Sequence, residues 1–209
     1  VIALDQLLAF SLAAVVLIVI PGPSVVFVIG RALVYGRSVA LATVMGNSAG
    51  LLVIVVLVAL GLGIVVAESI VVLTVVKLLG AAYLVYLGVQ AVRHRRAFVV
   101  DAEGGPAVLS GWTAFRQGFV VGITNPKAFM IFAAVLPQFV DRSAAHLPAQ
   151  MLVLGLVAFV IGLVSDSVWA IGASQLRTWF ARSPRRGEVM GTIGGVSMIG
   201  LGVGLAAHR

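Results

Sequence analysis

Long stretches without charge decide what this chain can fold into. No charged side chain occurs in the 25 residues between Asp5 and Arg31, or in the 30 between Arg37 and Glu68. Three further stretches carry one charge each: 69–92 with Lys77, 117–140 with Lys127 and 143–176 with Asp166. A last uncharged stretch of 20 residues separates Glu188 from Arg209. A helix needs about 20 apolar residues, at ~1.5 Å each, to cross a bilayer. The spacing therefore predicts six spans, near 5–31, 39–65, 69–92, 115–137, 148–174 and 189–207. The runs are apolar all round instead of alternating, which selects helices over a β-barrel. Composition agrees: 61% of residues are hydrophobic and 10% charged, with a mean hydropathy of +1.17. That is too little polar surface to clothe a soluble enzyme, and too much apolar surface for a disordered chain. The expected fold is an all-α integral membrane protein.

Basic residues orient it. The first, third and fifth connections hold Arg31, Arg37, Arg93, Arg95, Arg96, Arg116, Arg177, Arg182, Arg185 and Arg186, ten of the fourteen cationic side chains. The second and fourth hold only Arg142. The odd connections are expected in the cytoplasm, which places both termini outside. Trp112 and Trp179, beside span ends in odd connections, suit the membrane interface. The isoelectric point near 11.1 follows from this topology and from attraction to anionic membrane lipid, so no nucleic-acid partner is expected. The first run lacks a cationic leader and an Ala-x-Ala site and is too long for a signal core, so it is expected to stay as a span. There are no cysteines, hence no disulfides or thiolate metal sites, and nothing calls for a cofactor.

One domain over 1–209 is expected, built as two halves: about 1–92, a cytoplasmic linker at about 93–114, and about 115–209. The linker opens Arg93-His94-Arg95-Arg96, turns acidic at Asp101 and Glu103, and runs through Gly104-Gly105-Pro106. Three spans per half force the second half to run in the opposite sense, giving two inverted three-helix repeats. An offset of 105 superposes Pro21 on Pro126, Phe27 on Phe132 and Arg37-Ser38 on Arg142-Ser143.

The first and fourth spans are interrupted, by Pro21-Gly22-Pro23-Ser24 and by Asn125-Pro126-Lys127. A proline inside a helix removes a donor and costs ~3 kcal/mol or more. In lipid the freed carbonyl finds no water. The breaks are either structural kinks or two discontinuous helices meeting near the midplane, which is where transporter substrates bind. The residues after each break open a half-helix with unpaired amides and a positive dipole end, suited to a carboxylate. After Pro23 these are Ser24, Val25 and Val26; after Pro126 they are Lys127, Ala128 and Phe129.

Lys77, Lys127 and Asp166 are the ionisable residues deep in the spans. Each costs ~2.5–3.5 kcal/mol at a helix centre, so they should face the protein interior. Lys77 either snorkels to the outer interface or joins ion coupling. Asp166 is either a structural partner for a lysine or a group that takes up and releases a proton. Gly46-Asn47-Ser48-Ala49-Gly50 has the spacing of a serine-hydrolase elbow, but it lies in an apolar span with no histidine in reach. Its glycines are better read as a close helix contact, like Gly118 with Gly122 and Gly191 with Gly195. Asn47 would then face the cavity. Such faces also allow a homodimer.

The chain resembles the LysE/RhtB superfamily of bacterial amino-acid exporters. The resemblance rests on Pro21-Gly22-Pro23, Arg31, Gly36-Arg37 and Gly46, then Lys77-Leu78-Leu79-Gly80-Ala81-Ala82-Tyr83-Leu84-Val85-Tyr86-Leu87-Gly88. In the second half it rests on Asn125-Pro126-Lys127-Ala128, Leu136-Pro137-Gln138-Phe139-Val140 and Asp166. It implies a multi-pass protein of the bacterial cytoplasmic membrane that exports amino acids or related metabolites by exchange with protons. The expected substrate site is Pro21, Gly22, Pro23, Ser24, Asn47, Asn125, Pro126 and Lys127, with Asp166 and Lys77 in ion or proton coupling. The resemblance leaves open a metal-cation exporter, which a net intramembrane charge of +1 and spans free of Cys and His disfavour. A non-transporting scaffold or assembly subunit would explain the glycine faces but not the paired breaks. A membrane enzyme would need clustered His or paired carboxylates, which the spans lack.

Overall fold

The structure is a computed structural model that describes residues 2–61, 70–93, 109–141 and 146–181, and scattered helical residues between 189 and 207. Residues 94–108 of the linker, Arg142, Arg182, Arg185, Arg186 and Gly191 lie outside the described residues, as do the side chains of Lys77, Pro126, Arg177 and Trp179. Every regular element among the described residues is helical.

The first predicted span is two helices, α1 (Leu4–Val19) and α2 (Pro23–Tyr35), meeting at 54°. Pro23 sits in the first turn of α2, where its missing N–H costs nothing. Gly36, at φ 85°, closes α2 by donating to the Ala32 carbonyl at 3.0 Å and starts α3 (Arg37–Ala59) with no loop between. Only glycine adopts that φ without strain. α4 covers Ile70–Arg93 and α5 covers Gly111–Ile123. The predicted linker therefore ends early: Ser110 caps α5 by accepting from the Thr113 amide at 3.1 Å.

The fourth predicted span breaks as well. α5 stops at Ile123, and α6 (Pro126–Met130) follows, continued by a π-helical turn (Ile131–Val135) and a 3₁₀ turn (Leu136–Phe139). α7 (Leu147–Ala181) has 35 residues, roughly 52 Å at 1.5 Å each, more than the ~30 Å hydrocarbon core. Its start is tied back by Gln150, which accepts from the Asp141 amide at 3.0 Å and donates to the Asp141 carbonyl at 3.3 Å. Among the described residues, two helices are long and apolar enough to cross a membrane, or three with the bent α1–α2 pair taken as one span.

Burial on α7 follows a helical period. Leu154, Ala158, Gly162, Asp166 and Ala170 are buried, while Val160, Val164 and Val168 are more than half exposed. An exposed valine face on so apolar a helix suits lipid, not water. Two apolar clusters lie along the buried face. One joins Phe10, Ala14, Ile54, Phe132, Leu136 and Leu154. The other joins Val28, Ala32, Val44, Ala170 and Ala173. The α1–α2 break falls between them, and so does Asp166.

α3 and α5 pack backbone to backbone on the glycine pairs. A Cβ on Gly118 would strike the Thr43 carbonyl oxygen, one on Gly122 the Asn47 carbonyl oxygen, and one on Gly46 the Phe115 carbonyl oxygen. On Gly50 it would sit 2.6 Å from the Ile123 nitrogen. The small-xxx-small spacing is thus used for close approach. Gly88 of α4 makes a similar contact, where a Cβ would lie 2.6 Å from the Gly195 carbonyl oxygen.

Gly118→Leu must push α3 away from α5 and is expected to cost about 1–3 kcal/mol. In thermal unfolding of the detergent-solubilised chain, that is a drop of about 3–10 °C. Gly172→Ala is the control, because a Cβ there meets nothing within 4 Å; it should not lower the melting temperature.

Candidate functional site

The two breaks come together. At the first, α1 ends at Val19 and leaves the Ile20 carbonyl without a helical donor, because the chain bends at Pro21 and the Ser24 amide that would reach back to it opens α2 instead. The Lys127 ammonium, from the second break, donates to that carbonyl. Its chain crosses Gly22 so closely that a Cβ there would lie 3.1 Å from Lys127 Cδ. Asn125 supplies a second bridge. Its Nδ2 donates to Ser24 Oγ at 3.1 Å, and its Oδ1 accepts from the Lys127 amide at 3.1 Å as the cap of α6.

The half-helix amides are fewer than the sequence suggests. Val26 N–H donates to the Gly22 carbonyl at 3.0 Å, so at α2 the amides of Ser24 and Val25 stay open. At α6 the Lys127 amide is capped by Asn125 Oδ1, and Phe129 N–H donates to the Asn125 carbonyl at 3.2 Å. Only the Ala128 amide remains there. Lys127 likewise sits at the C-terminal end of α1, where a cation meets the negative end of the helix dipole.

Between the breaks and α7 lies a cavity of about 50 Å³. The α1–α2 segment contributes Ile18, Gly22, Ser24 and Val25, and α3 contributes Asn47 and Leu51. The second break contributes Asn125, Lys127, Ala128, Ile131 and Phe132, and α7 contributes Ala158, Gly162 and Asp166. Asn47 Nδ2 donates to Asp166 Oδ2 at 2.8 Å, and both residues are at most 4% exposed. Asn47 Oδ1 is buried without a hydrogen-bond partner, as is the hydroxyl of its neighbour Ser48. The cavity is polar at two places, around Lys127 with Ser24 and around Asp166 with Asn47, and apolar elsewhere. Among the described residues, no three His, Cys, Asp or Glu side chains converge as a metal site would need.

The sequence model of the family described as LysE type translocator matches residues 15–209. The chain belongs to that family. An uncharacterized membrane protein of Vibrio cholerae is 35% identical over 202 residues, covering 97% of each chain. A homoserine/homoserine lactone efflux protein of Salmonella typhimurium is 29% identical over 201 residues, 96% of each chain. A leucine efflux protein of Klebsiella pneumoniae is 25% identical over 202 residues, 95% of this chain and 93% of the relative. No solved structure matches the chain.

In this LysE type translocator, Gly22, Ser24, Asn47, Asn125, Lys127 and Asp166, all named from sequence, line one cavity. Pro21 and Pro23 shape the first break, and Pro126 stands at the first position of α6. Lys77 belongs to α4, and its side chain lies outside the described residues. Ala158 and Gly162 were not singled out from sequence. The signal was present: they precede Asp166 at intervals of four, so they share its helix face.

Asn125→Ala removes both the α6 cap and the bond to Ser24, and is expected to cost about 1–3 kcal/mol in thermal or denaturant unfolding. Asn125→Asp keeps the cap and should lose distinctly less.

Proposed function

We propose that the chain is a secondary exporter of an amino acid or a related small zwitterion across the bacterial cytoplasmic membrane, driven by exchange with protons. The single observation behind this reading is the meeting of two helix breaks at one cavity with a cationic and an anionic place. The names of the relatives support the substrate class: efflux of homoserine and its lactone in one, of leucine in another.

The substrate carboxylate docks at the open amides of Ser24 and Val25, at the positive end of the 13-residue α2. Lys127 helps by turning from the Ile20 carbonyl to the carboxylate. The apolar wall formed by Leu51, Ile131, Phe132 and Ala158 receives the side chain. A cavity of about 50 Å³ has room for a few water molecules. Admitting an amino acid therefore requires the walls to part, and rocking of two inverted three-helix repeats would open them to each side in turn. This arrangement comprises six spans with both termini outside, and takes Asp166 as the proton carrier.

The test is efflux from proteoliposomes loaded with a panel of amino acids, leucine and homoserine among them, with and without a pH gradient. At least one should leave faster when the gradient is applied. If none does, the exporter reading fails. Lys127→Met, when it inserts normally, should slow efflux by about tenfold or more, the worth of a charge-assisted hydrogen bond, and Pro126→Ala should slow it as well. Full-rate transport by both would remove the breaks from the mechanism.

A further inference from the structure

The Asp166 carboxylate has one hydrogen-bond partner fixed by the fold, the Asn47 amide, which donates to Oδ2. A carboxylate offers about four lone-pair sites, so most of its accepting capacity is unused by that bond. The orientation of Asn47 that makes this bond leaves its Oδ1 buried and without a donor. A buried acceptor left open costs about as much as a lost hydrogen bond, so such a group points to a missing donor. Two acceptors on adjoining side chains, one charged and one neutral, are what a primary ammonium with three N–H groups would satisfy.

The rest of the cavity carries little that could compete. α1 presents Ile18 to it, α2 presents Ser24 and Val25, and α3 adds Leu51 beside Asn47. None of these titrates. Lys127 is the other charged group in the lining; its hydrogen bond goes to the Ile20 carbonyl, and it acts on Asp166 through its charge without a direct bond. Arg31, the cation of α2, is engaged elsewhere: its Nη2 donates to Gln117 Oε1 at 2.7 Å, and its guanidinium lies 4.8 Å from the centre of the Phe27 ring. On α7 itself, Ala158 and Gly162 leave the approach to Asp166 unobstructed, and a Cβ on Gly162 would meet nothing within 4 Å.

We infer that Asp166, held by Asn47, is the acceptor for the substrate's ammonium group, so that a proton and the substrate occupy the same carboxylate in turn. This rests on the exporter reading and adds to it how exchange is enforced. Protonated Asp166 carries its hydrogen on a carboxyl oxygen and has no charge to offer an ammonium. When the ammonium arrives, that proton leaves for the water in the cavity, and the carboxylate pairs with the substrate. No bond in the substrate is made or broken. In the reverse exchange a proton displaces the ammonium. One carboxylate cannot hold both, so a proton travels one way for each substrate that travels the other.

The full chain, purified in detergent, is titrated with leucine and with homoserine in buffers of different ionisation heat. Binding should release about one proton per ligand at pH values where Asp166 is protonated, and the affinity should fall by up to about tenfold for each pH unit of acidification there. N-acetyl-leucine, which has a carboxylate but no ammonium, should bind about 10- to 100-fold more weakly than leucine and release no proton. Asp166→Asn should weaken leucine binding by the same factor and abolish proton release, while eluting as a single species in detergent with the helical content of the wild type, which shows that the variant is folded. Leucine or homoserine binding without proton release at any pH overturns the shared site but leaves the exporter reading intact. So does an Asp166→Asn variant that binds leucine as the wild type does. If no amino acid binds or is exported, both readings fall together.

Discussion

A hydrocarbon interior tolerates a broken helix only where something in the protein replaces the lost backbone bonds. Each unsatisfied group there costs several kcal/mol. In this chain the replacement at the first break comes from the second. Lys127, beside Pro126, donates to the Ile20 carbonyl left open at Pro21. Asn125 caps its own half-helix with Oδ1 and reaches Ser24 of the first with Nδ2. The second break caps its own backbone through Asn125, whereas the first relies on the second for the Ile20 carbonyl. Their adjacency is therefore a condition of the fold, and the polar cavity is its by-product.

Glycine packing sets the position of the opposite wall. Gly118 and Gly122 of α5 sit against the backbone of α3 at Thr43 and Asn47. With no side chains between the two helices, Asn47 lies close to the α5 end that opens into Asn125. The same contact leaves its amide free to meet Asp166 from α7 at 2.8 Å. Small residues that look like packing alone thus fix the register of a side chain that lines the cavity. α7 then serves as the common wall, carrying apolar clusters on either side of Asp166.

Much of this was legible in the sequence, for identifiable reasons. Charge-free length reveals helices because lipid forbids charge, and α3, α4 and α7 lie close to the predicted runs. Prolines reveal breaks because their effect is local. Polar residues at the breaks, and Asp166, stand out against an apolar background. What stayed hidden depends on contact between distant segments. The sequence suggested Lys127 as a charge waiting at a helix N-terminus, whereas in the structure it closes the C-terminal end of α1. The pairing of Asn47 with Asp166 spans 119 residues, and no local pattern encodes it. The early start of α5 was readable from Ser110, whose capping role is local; the length of the charge-free run alone placed it too late.

The two breaks differ in what they offer. α2 runs as a regular helix for 13 residues and keeps two open amides at its start. The segment after Pro126 forms only a five-residue α-helix before passing into a π turn and a 3₁₀ turn. A π turn carries one residue more than an α turn and disrupts the regular hydrogen-bond ladder, and such turns gather at functional sites. A dipole built on so short and mixed a segment is weak, and the side chains of Asn125 and Lys127 make up the polarity that its backbone does not supply. The first break thus contributes oriented backbone and the second contributes polar side chains. A site assembled that way keeps the side chains of Lys127 and Asn125 satisfied while empty, because both bond to the first break. It can release them to a ligand without dismantling either helix.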